Sequence, residues 1–501
     1  MDILIKNTQV VALDETHGAR PFQADIRVRG DRIAEIGQNL QPDEGSVIDG
    51  ARRLAIPGLV NAHFHSNQNF LRGRHRGRSL EGLILYAYPQ NLAEPLAVDL
   101  IYLRTLLGAI EALKSGVTCV LDDCIELPRQ GLRELSEVFR AYEDAGMRAN
   151  CSGRIIDKPY LETIPYADRF IPPELREILQ RRPAASTEAY LSFAKDAVDR
   201  FHGRGGRLRF VVSPSGPQRC TEELLASAAR FADEHDTGYT THLLETKVQL
   251  LAGLEFYGKS LVAHMDAVGA LTSRLALAHA IWVSEEDIAL IARAGSSIAH
   301  NPVCNLRLGS GIAPLRRLID AGISVGLGTD EVDANDSGRL FDVMHLAGLI
   351  HNVTDPDYDR WPSAEEVLRA ATKGGAVCVG LQEEIGSLEP GMKADIVLLD
   401  TDAPPFVPLN DPARQLVYSE NGSSVTDVIV NGDFVVRDRA LTMIDEEEVI
   451  QEVRRRAPEA LALYEKWETV AAQYEPAMKA LHMYCAGQDT ELAKLAPGAA
   501  G

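Results

Sequence analysis

Two histidines separated by one residue, His63 and His65, follow the short apolar run of residues 59–62. In a strand, side chains at positions i and i+2 point to the same face, so both imidazoles would project together from the end of this strand. Two imidazoles on one face can bind one metal ion. A pair of surface histidines near a turn is the alternative that this motif alone leaves open.

Three further apolar runs end in residues that bind metals or move protons. One ends at His242 and is followed by Glu245, a second ends at His279, and a third leads into Asp330. Barrel enzymes carry their chemistry at the C-terminal ends of their strands, and the chain has only 13 histidines. Because three imidazoles and a carboxylate suit zinc or ferrous iron, these strand ends together predict a metal centre.

The elements that must position these residues are short apolar runs that alternate with helical patterns, which is typical of βα units and a parallel sheet. The predicted strands are residues 59–63, 117–121, 148–151, 208–212, 238–242, 275–279, 296–299 and 325–328. The predicted helices include residues 98–114, 131–145, 221–235, 284–294 and 313–321. Eight such units predict a (β/α)8 barrel of the TIM type with long insertions after strands one and three. A doubly wound open sheet is the alternative, but no glycine-rich phosphate fingerprint follows the first strand.

The two ends of the chain are rich in short alternating runs. Residues 1–56 contain several such runs separated by turns, and a matching β-rich stretch occupies residues 386–444. We expect these two segments to combine into one small β-sandwich domain beside a barrel of residues 57–385. Residues 445–501 form a tail that is helical by pattern to about residue 483 and frayed from residue 497. This tail is expected to pack on the barrel or on a partner subunit.

Composition limits the classes of partner. The 501 residues carry a net charge of −21, which argues against nucleic acid or an anionic membrane as the main partner. No apolar run reaches the roughly 18 residues of a membrane span, and the N-terminus lacks the layout of a signal peptide. The 7 cysteines are scattered and form no C-x-x-C motif, which favours ordinary thiols in a reducing cytoplasm.

The motifs at the predicted strand ends resemble the amidohydrolase superfamily. They are residues 57–65, 241–246, His279, residues 300–311 and residues 326–330, and they follow one another in the order of that family. The resemblance is to the mononuclear branch of cytosine-deaminase-like and chlorohydrolase-like enzymes, which includes triazine hydrolases and deaminases of nucleobases or nucleosides. It covers nearly the whole chain, and a β domain split between the two termini is a further trait of the family.

The resemblance implies one divalent metal ion per subunit, zinc or iron, with four ligands: His63, His65, His242 and Asp330. The binuclear branch of the family uses a carbamylated lysine at the end of strand four, and residues 211–215 contain no lysine. It further implies that His279 contacts the activated water or the substrate and that Glu245 moves protons, with Asp330 helping to orient the water. For Glu245, a solvated glutamate at a helix start is the alternative.

Other positions are expected to contact the substrate: Gln68, Gln218, Asn301, Cys304, Asn305 and Glu331. The loop of residues 72–78 carries four arginines and a histidine. It would either clamp an acidic group of the substrate or simply offset nearby acid on the surface, and we favour the second interpretation. The large acidic Glu331 after Asp330 resembles triazine- and chlorohydrolase-like members more than nucleoside deaminases, so the substrate stays open.

The expected function is removal of ammonia from an amino-substituted nitrogen heterocycle such as a purine, pyrimidine, pterin or triazine. The alternative is release of chloride or an alkylamine from a triazine, or opening of a cyclic amide, by the same residues. A catalytically inactive scaffold is disfavoured because every expected ligand is present. The resemblance also implies a small-molecule substrate and a homodimer or larger homo-oligomer.

Overall fold

The structure is a computed structural model that describes residues 2–42, 45–88, 96–127, 130–181 and 186–490. The strands are β1 Ile3–Val10, β2 Phe22–Arg29, β3 Arg32–Gly37, β4 Ser46–Asp49, β5 Arg53–Pro57, β6 Leu59–His65, β7 Val117–Asp122, β8 Arg148–Ser152, β9 Leu208–Val212, β10 Gly238–Leu243, β11 Leu275–His279, β12 Ser297–His300, β13 Val325–Leu327, β14 Asp330–Glu331, β15 Ile396–Asp400, β16 Val425–Val430, β17 Asp433–Arg437 and β18 Ala440–Leu441.

The helices are α1 Leu80–Ala87, α2 Val98–Lys114, α3 Leu132–Asp144, α4 Ala167–Phe170, α5 Pro173–Leu179, α6 Thr187–Phe201, α7 Glu222–Glu234, α8 Lys247–Tyr257, α9 Leu261–Ala267, α10 Glu285–Ala294, α11 Pro302–Arg307, α12 Leu315–Asp320, α13 Val332–Asn335, α14 Leu340–Ile350, α15 Ala364–Arg369, α16 Gly375–Cys378, α17 Pro412–Tyr418, α18 Glu446–Ala471 and α19 Glu475–Ala486. A π-helical turn, Ala370–Gly374, joins α15 to α16. Short 3-10 turns include Ser66–Gln68 after β6 and Pro217–Arg219 after β9. Within the described ranges, no helix combines the length and the apolar character that crossing a bilayer requires.

The middle of the chain folds into the expected (β/α)8 barrel. In the described residues, nine strands form one sheet in the order β13-β12-β11-β10-β9-β8-β7-β6-β14. Every pairing in this sheet is parallel. Strands such as β6, β7 and β8 are buried along their whole length, which is why they read as continuous apolar runs in the sequence. The barrel presents the C-terminal ends of its strands at one rim.

The eighth barrel strand differs from its prediction as one unbroken strand of residues 325–328. It breaks after Leu327, so that β13 pairs with β12 and the two residues of β14 pair with β6. Residues 328 and 329 separate the two pieces, and Asp330 begins β14 with a φ of +62°, which lies in the left-handed region. Asp330 thereby lies opposite Phe64, and Glu331 opposite His65, which closes the barrel.

Strands from both ends of the chain form the second sheet. In the described residues it has nine strands in the order β18-β17-β16-β15-β5-β1-β2-β3, with β4 paired to β1. Successive side chains of β15 point to opposite faces of the sheet and pack in two different cores. Ile396 and Leu398 belong to an apolar cluster enclosed by the sheet, whereas Val397 and Leu399 pack in the large core shared with the barrel. The sheet is therefore a sandwich layer with both faces covered.

The tail consists of α18 and α19 rather than one continuous helix. Pro476 stands in the first turn of α19, where its missing N–H costs nothing, so a new helix begins there. These helices contact α1, α2, α4 and α8 of the same chain. The expected packing of the tail on the barrel is thus observed for its described part, and the expected fraying from residue 497 lies outside the described residues.

Candidate active site

Four side chains from three barrel strands meet at the C-terminal rim: His63, His65, His242 and Asp330. The Nε2 atoms of His65 and His63 lie 3.1 Å and 3.4 Å from Oδ1 of Asp330. Nε2 of His242 lies 3.3 Å from Nε2 of His65. All four residues are at most 5% exposed. The structure therefore brings together, around one point, the four residues that the sequence predicted as metal ligands.

Hydrogen bonds to backbone oxygens fix how two of these imidazoles face the centre. Nδ1–H of His65 donates to the carbonyl oxygen of Asp123 at 2.7 Å, and Nδ1–H of His242 donates to that of Ser215 at 2.7 Å. With Nδ1–H bound to a carbonyl oxygen, Nε2 is the nitrogen that each ring turns toward the centre, where it can bind a metal. Burial, followed by the charge of the neighbouring His63, holds the pKa of His242 well below its usual range, which keeps this ligand neutral.

The other two predicted ligands also fit a cation. Both ring nitrogens of His63 are buried and lack a hydrogen-bond partner among the described residues. An unpaired buried nitrogen is costly, and a metal at Nε2 would remove that cost. Burial would raise the pKa of Asp330, but the facing imidazoles of His63 and His65 lower it well below its usual range. The donor set is thus imidazole nitrogens with an ionised carboxylate, which suits zinc.

The backbone around Asp330 is held in place from the first strand. The Asn61 side chain accepts a hydrogen bond from the Thr329 N–H at 3.0 Å and donates one to the Thr329 hydroxyl at 2.7 Å. Gly328 is required here because a Cβ atom would lie 2.8 Å from Cβ of His63 and would also collide with Asn301. The Gly-Thr-Asp sequence therefore packs directly on the first ligand strand.

Glu245 and His279 lie on one side of this centre. Nε2 of His279 is 3.4 Å from Oε2 of Glu245 and 3.7 Å from Oδ2 of Asp330. Nδ1–H of His279 donates to Oδ1 of Asn305 at 2.9 Å, which leaves Nε2 without a proton. Burial lowers the pKa of His279 to about 4, so this ring is a neutral acceptor at pH 7.

Glu245, in contrast to His279, has its pKa shifted in favour of the protonated form. Burial, and then the nearby charges of Asp330 and Glu331, raise its pKa well above its usual range. The side chain is 2% exposed, which contradicts the alternative of a solvated glutamate at a helix start. A buried neutral carboxyl group beside an unprotonated imidazole is a proton donor beside a proton acceptor.

A cavity of about 880 Å³ opens onto this cluster, and His242, Glu245, His279 and Asp330 form part of its wall. The rest of the wall combines apolar side chains, such as Leu80 and Ile84 of α1 and Phe193 of α6, with charged ones, such as Lys158 and Asp196. This volume is within the range of sites for small organic ligands. The arrangement can therefore hold a small molecule directly beside the metal ligands.

The residues predicted to contact substrate divide into two groups. Cys304 and Glu331 lie on the cavity wall. Burial raises the pKa of the Cys304 thiol well above its usual range, so it stays protonated. The other four are buried behind the wall, in the following places: Gln68 against Tyr88, Gln218 in the turn after β9, Asn305 at His279, and Asn301 with its amide nitrogen 3.4 Å from Nδ1 of His279. Direct contact of any of them with a substrate stays a prediction.

The site also contains residues that sequence reasoning missed. Oδ2 of Asp123 lies 3.7 Å from Nε2 of His242, and the same residue's Oδ1 accepts a 2.6 Å hydrogen bond from Ser152. The Arg154 guanidinium lies 3.8 Å from Oδ2 of Asp123 and stacks 4.6 Å from the centre of the Tyr88 ring. Asp123 directly follows β7, so reading the second strand end as the others were read would have found it. Nothing local in the sequence identifies Arg154 or Tyr88.

The basic loop of residues 72–78 faces the tail of the chain and not the cavity. His75 contacts Glu468 through Nε2 at 3.0 Å, and Arg74 contacts the same carboxylate at 2.5 Å. Arg76 and Arg78 both pair with Glu475. These contacts agree with the interpretation that the loop offsets nearby acid.

The chain is similar to one protein family, to deaminases of known sequence and to a chlorohydrolase of known structure. The model of the Amidohydrolase family matches residues 54–435. The chain is 32% identical over 463 residues to a 5'-deoxyadenosine deaminase of Methanosarcina mazei, covering 92% of this chain and 99% of that protein. It is 32% identical over 440 residues to a 5-methylthioadenosine/S-adenosylhomocysteine deaminase of Thermococcus kodakarensis, covering 87% and 94% of the two chains. Among solved structures, it resembles an atrazine chlorohydrolase of Arthrobacter aurescens TC1 complexed with zinc, with a TM-score of 0.81, 28% identity and coverage of 91% and 100%.

Proposed function

The chain belongs to the amidohydrolase family, and on that premise we propose that it is a zinc-dependent aminohydrolase of a 5′-substituted adenosine. The reaction replaces the amino group of the adenine ring by an oxygen from water and releases ammonia. The observation that carries this proposal is the pair of Glu245 and His279, a proton donor and a proton acceptor 3.4 Å apart on the cavity wall beside the metal ligands. An amine leaves poorly unless it is protonated, whereas chloride needs no proton.

In the proposed mechanism, one divalent cation would be held by His63, His65, His242 and Asp330. When bound, such a cation lowers the pKa of water toward 7 and so provides a nucleophile at neutral pH. Asp330 orients the attacking water. His279 accepts a proton from that water at Nε2, since its Nδ1–H is already donated to Asn305.

Glu245 donates its proton to the ring nitrogen next to the attacked carbon, which becomes tetrahedral. The proton held by His279 then passes to the amino group, and the C–N bond breaks with release of ammonia. The new hydroxyl group returns its proton to Glu245 as the carbon–oxygen double bond forms. Both residues end in their starting protonation states, and the sum is water plus aminoheterocycle giving oxoheterocycle plus ammonia.

The choice of an adenosine as substrate rests on the relatives. The two described above are a 5'-deoxyadenosine deaminase and a 5-methylthioadenosine/S-adenosylhomocysteine deaminase. The apolar side chains Leu80, Ile84 and Phe193 on the cavity wall offer a surface against which an apolar 5′ substituent would pack. Dechlorination of a triazine is the second candidate, favoured by the likeness to the atrazine chlorohydrolase.

Mass spectrometry of the products decides between these two candidates. The zinc-loaded protein is offered 5′-deoxyadenosine, 5′-methylthioadenosine, an aminotriazine and a chlorotriazine. We expect the nucleosides to give products one mass unit heavier, because an amino group has become a hydroxyl. Turnover of the chlorotriazine with no change in either nucleoside would overturn the proposal.

The proposal also covers the cellular compartment and the oligomeric state of the enzyme. The enzyme would work in a reducing compartment such as the cytoplasm, in keeping with 7 cysteines that are all free and buried. It would form a homodimer or a larger homo-oligomer, which light scattering coupled to size-exclusion chromatography would measure directly.

A further inference from the structure

Glu331 has one carboxylate oxygen that the fold leaves without a partner. It directly follows Asp330, lies on the cavity wall and is 5% exposed. Its Oε1 accepts a hydrogen bond of 2.8 Å from the Tyr88 hydroxyl. Its Oε2 is buried and has no hydrogen-bond partner among the described residues. An oxygen in this situation is costly unless a ligand supplies the missing donor.

The carboxylate is held in one orientation by a chain of hydrogen bonds. Nε2 of Gln68 donates to the Tyr88 oxygen at 2.7 Å, so the phenolic proton points toward Glu331. The Arg154 guanidinium covers the Tyr88 ring at 4.6 Å. Gln68 and Arg154 therefore fix Tyr88, and Tyr88 fixes Glu331, so that Oε2 remains the free acceptor of the pair.

We propose that Glu331 selects the leaving group, because its Oε2 accepts an N–H of the amino group that is removed. This inference rests on the proposed aminohydrolase function and deepens it. An amino-substituted ring edge carries a ring nitrogen that accepts and an amino group that donates. Glu245 and Glu331 line the same cavity as Asp330, so one can donate to the ring nitrogen while the other accepts from the amino group.

The same contact discriminates against other substituents and against the product. A chloro or alkoxy group has no N–H, so binding it would leave Oε2 of Glu331 buried and unpaired. After hydrolysis the ring carries an oxo oxygen where the amino group was, and two acceptors then face each other. The carboxylate therefore favours amino substrates on entry and oxo products on exit.

The test is the substitution Glu331→Gln, assayed on a matched pair: 5′-deoxyadenosine and its 6-chloro analogue. The glutamine can still accept from Tyr88, but it presents an amide N–H₂ where the wild type presents an oxygen. We expect kcat/KM for the amino compound to fall on the order of 100-fold, with the chloro compound unchanged or improved. The matched control, Tyr88→Phe, keeps the carboxylate and removes its anchor, so we expect a smaller fall in the same direction.

A binding measurement separates this inference from the proposed function. Calorimetric Kd values are measured for the same pair, and for an amino- and a chlorotriazine, in zinc-loaded Glu245→Gln with and without Glu331→Gln. Which scaffold binds, a nucleoside or a triazine, tests the proposed function. The amino-to-chloro preference within whichever pair binds tests Glu331: loss of that preference with Glu331→Gln supports the role. Equal effects on both members of the pair would overturn it, and so would absence of binding by all four compounds.

Discussion

At the scale of single residues, the proton donor of the proposed reaction can be separated from the metal ligands. We expect Glu245→Gln to keep stoichiometric zinc and to lose about 10²–10⁴-fold in kcat, because the amide cannot give a proton to the ring nitrogen. Zinc content by elemental mass spectrometry and kcat by ammonia release are measured on one preparation. Normal turnover by this variant would contradict the role of Glu245.

His242→Ala is the matched comparison for that experiment. It removes a ligand whose ring is already oriented by the Ser215 carbonyl, so we expect both zinc and activity to disappear. His235→Ala, a partly exposed histidine at the end of α7, should lose neither. The contrast between zinc retained and zinc lost distinguishes a residue that moves protons from one that holds the ion.

The clustering of the predicted ligands could be foreseen because each stands at a strand end, where position along the chain decides position in the fold. His65 and His242 are of this kind. The orientation of each ring could not be predicted, since it depends on the carbonyl oxygens of Asp123 and Ser215, which follow two other strands. Tyr88 is invisible in the same way: its contacts with Gln68 and Glu331 span 20 and 243 residues.

At the scale of elements, the barrel strands could be predicted because both faces of each are buried and the apolar run is continuous. The strand β9 was predicted with its observed bounds, Leu208–Val212. The two residues of β14 could not be predicted, because no periodicity exists over so short a stretch. Their position follows instead from the left-handed Asp330 and from the clamp that Asn61 places on Thr329.

The loop after β6 is joined to the tail helix α18 by a histidine that titrates. Nδ1 of His75 contacts Asp333 at 2.5 Å, and Nε2 contacts Glu468 at 3.0 Å. Burial lowers the pKa of His75, but the hydrogen bonds and charges of these two carboxylates outweigh burial and raise it. A raised pKa in the folded protein means that the protonated ring stabilises the fold.

This linkage predicts how stability depends on pH. The contribution of His75 is fully present below its unfolded pKa of about 6.5 and is lost as the pH rises through the higher folded pKa. We therefore expect the difference in Tm between the wild type and His75→Gln to be largest near pH 6 and to shrink toward pH 9. Differential scanning calorimetry across that range measures it. A difference that grows with pH would show that the ring is neutral in the folded protein.

At the scale of the whole molecule, the pairing of the two chain ends could be predicted from their matching β patterns, but their docking on the barrel could not. One buried contact joins the two: Arg148 at the start of β8 binds Asp395, just before β15, with two bonds of 2.8 Å and 3.0 Å. The residues are 247 positions apart, and both side chains are at most 3% exposed. Oδ1 of Asp395 also accepts from the Asn431 N–H at 2.8 Å.

Because the pair is buried, removing one partner strands the other charge away from water. We expect Arg148→Ala to destabilise the protein by about 3–5 kcal/mol. The control is Arg52→Ala, which breaks an exposed ion pair with Asp402 of 2.8 Å and should cost about 0–1 kcal/mol. Thermal unfolding measures both. Zinc content at 25 °C should stay unchanged, since Arg148 touches no proposed ligand.

The double variant Arg148→Met/Asp395→Leu distinguishes two explanations for a loss of stability in Arg148→Ala. If the loss of stability comes from an unpaired buried charge, removing both charges should recover much of the Tm lost in Arg148→Ala. Two apolar side chains fill a similar volume and leave no charge away from water. If the double variant has a lower Tm than Arg148→Ala, the ion pair itself holds the terminal sheet on the barrel. The hydrogen bonds of the pair, including the one from Asn431, would then be the interactions that methionine and leucine cannot replace. A Tm for Arg148→Ala within a degree of Arg52→Ala would contradict both accounts and would place the docking energy in the apolar face of β15 and β16.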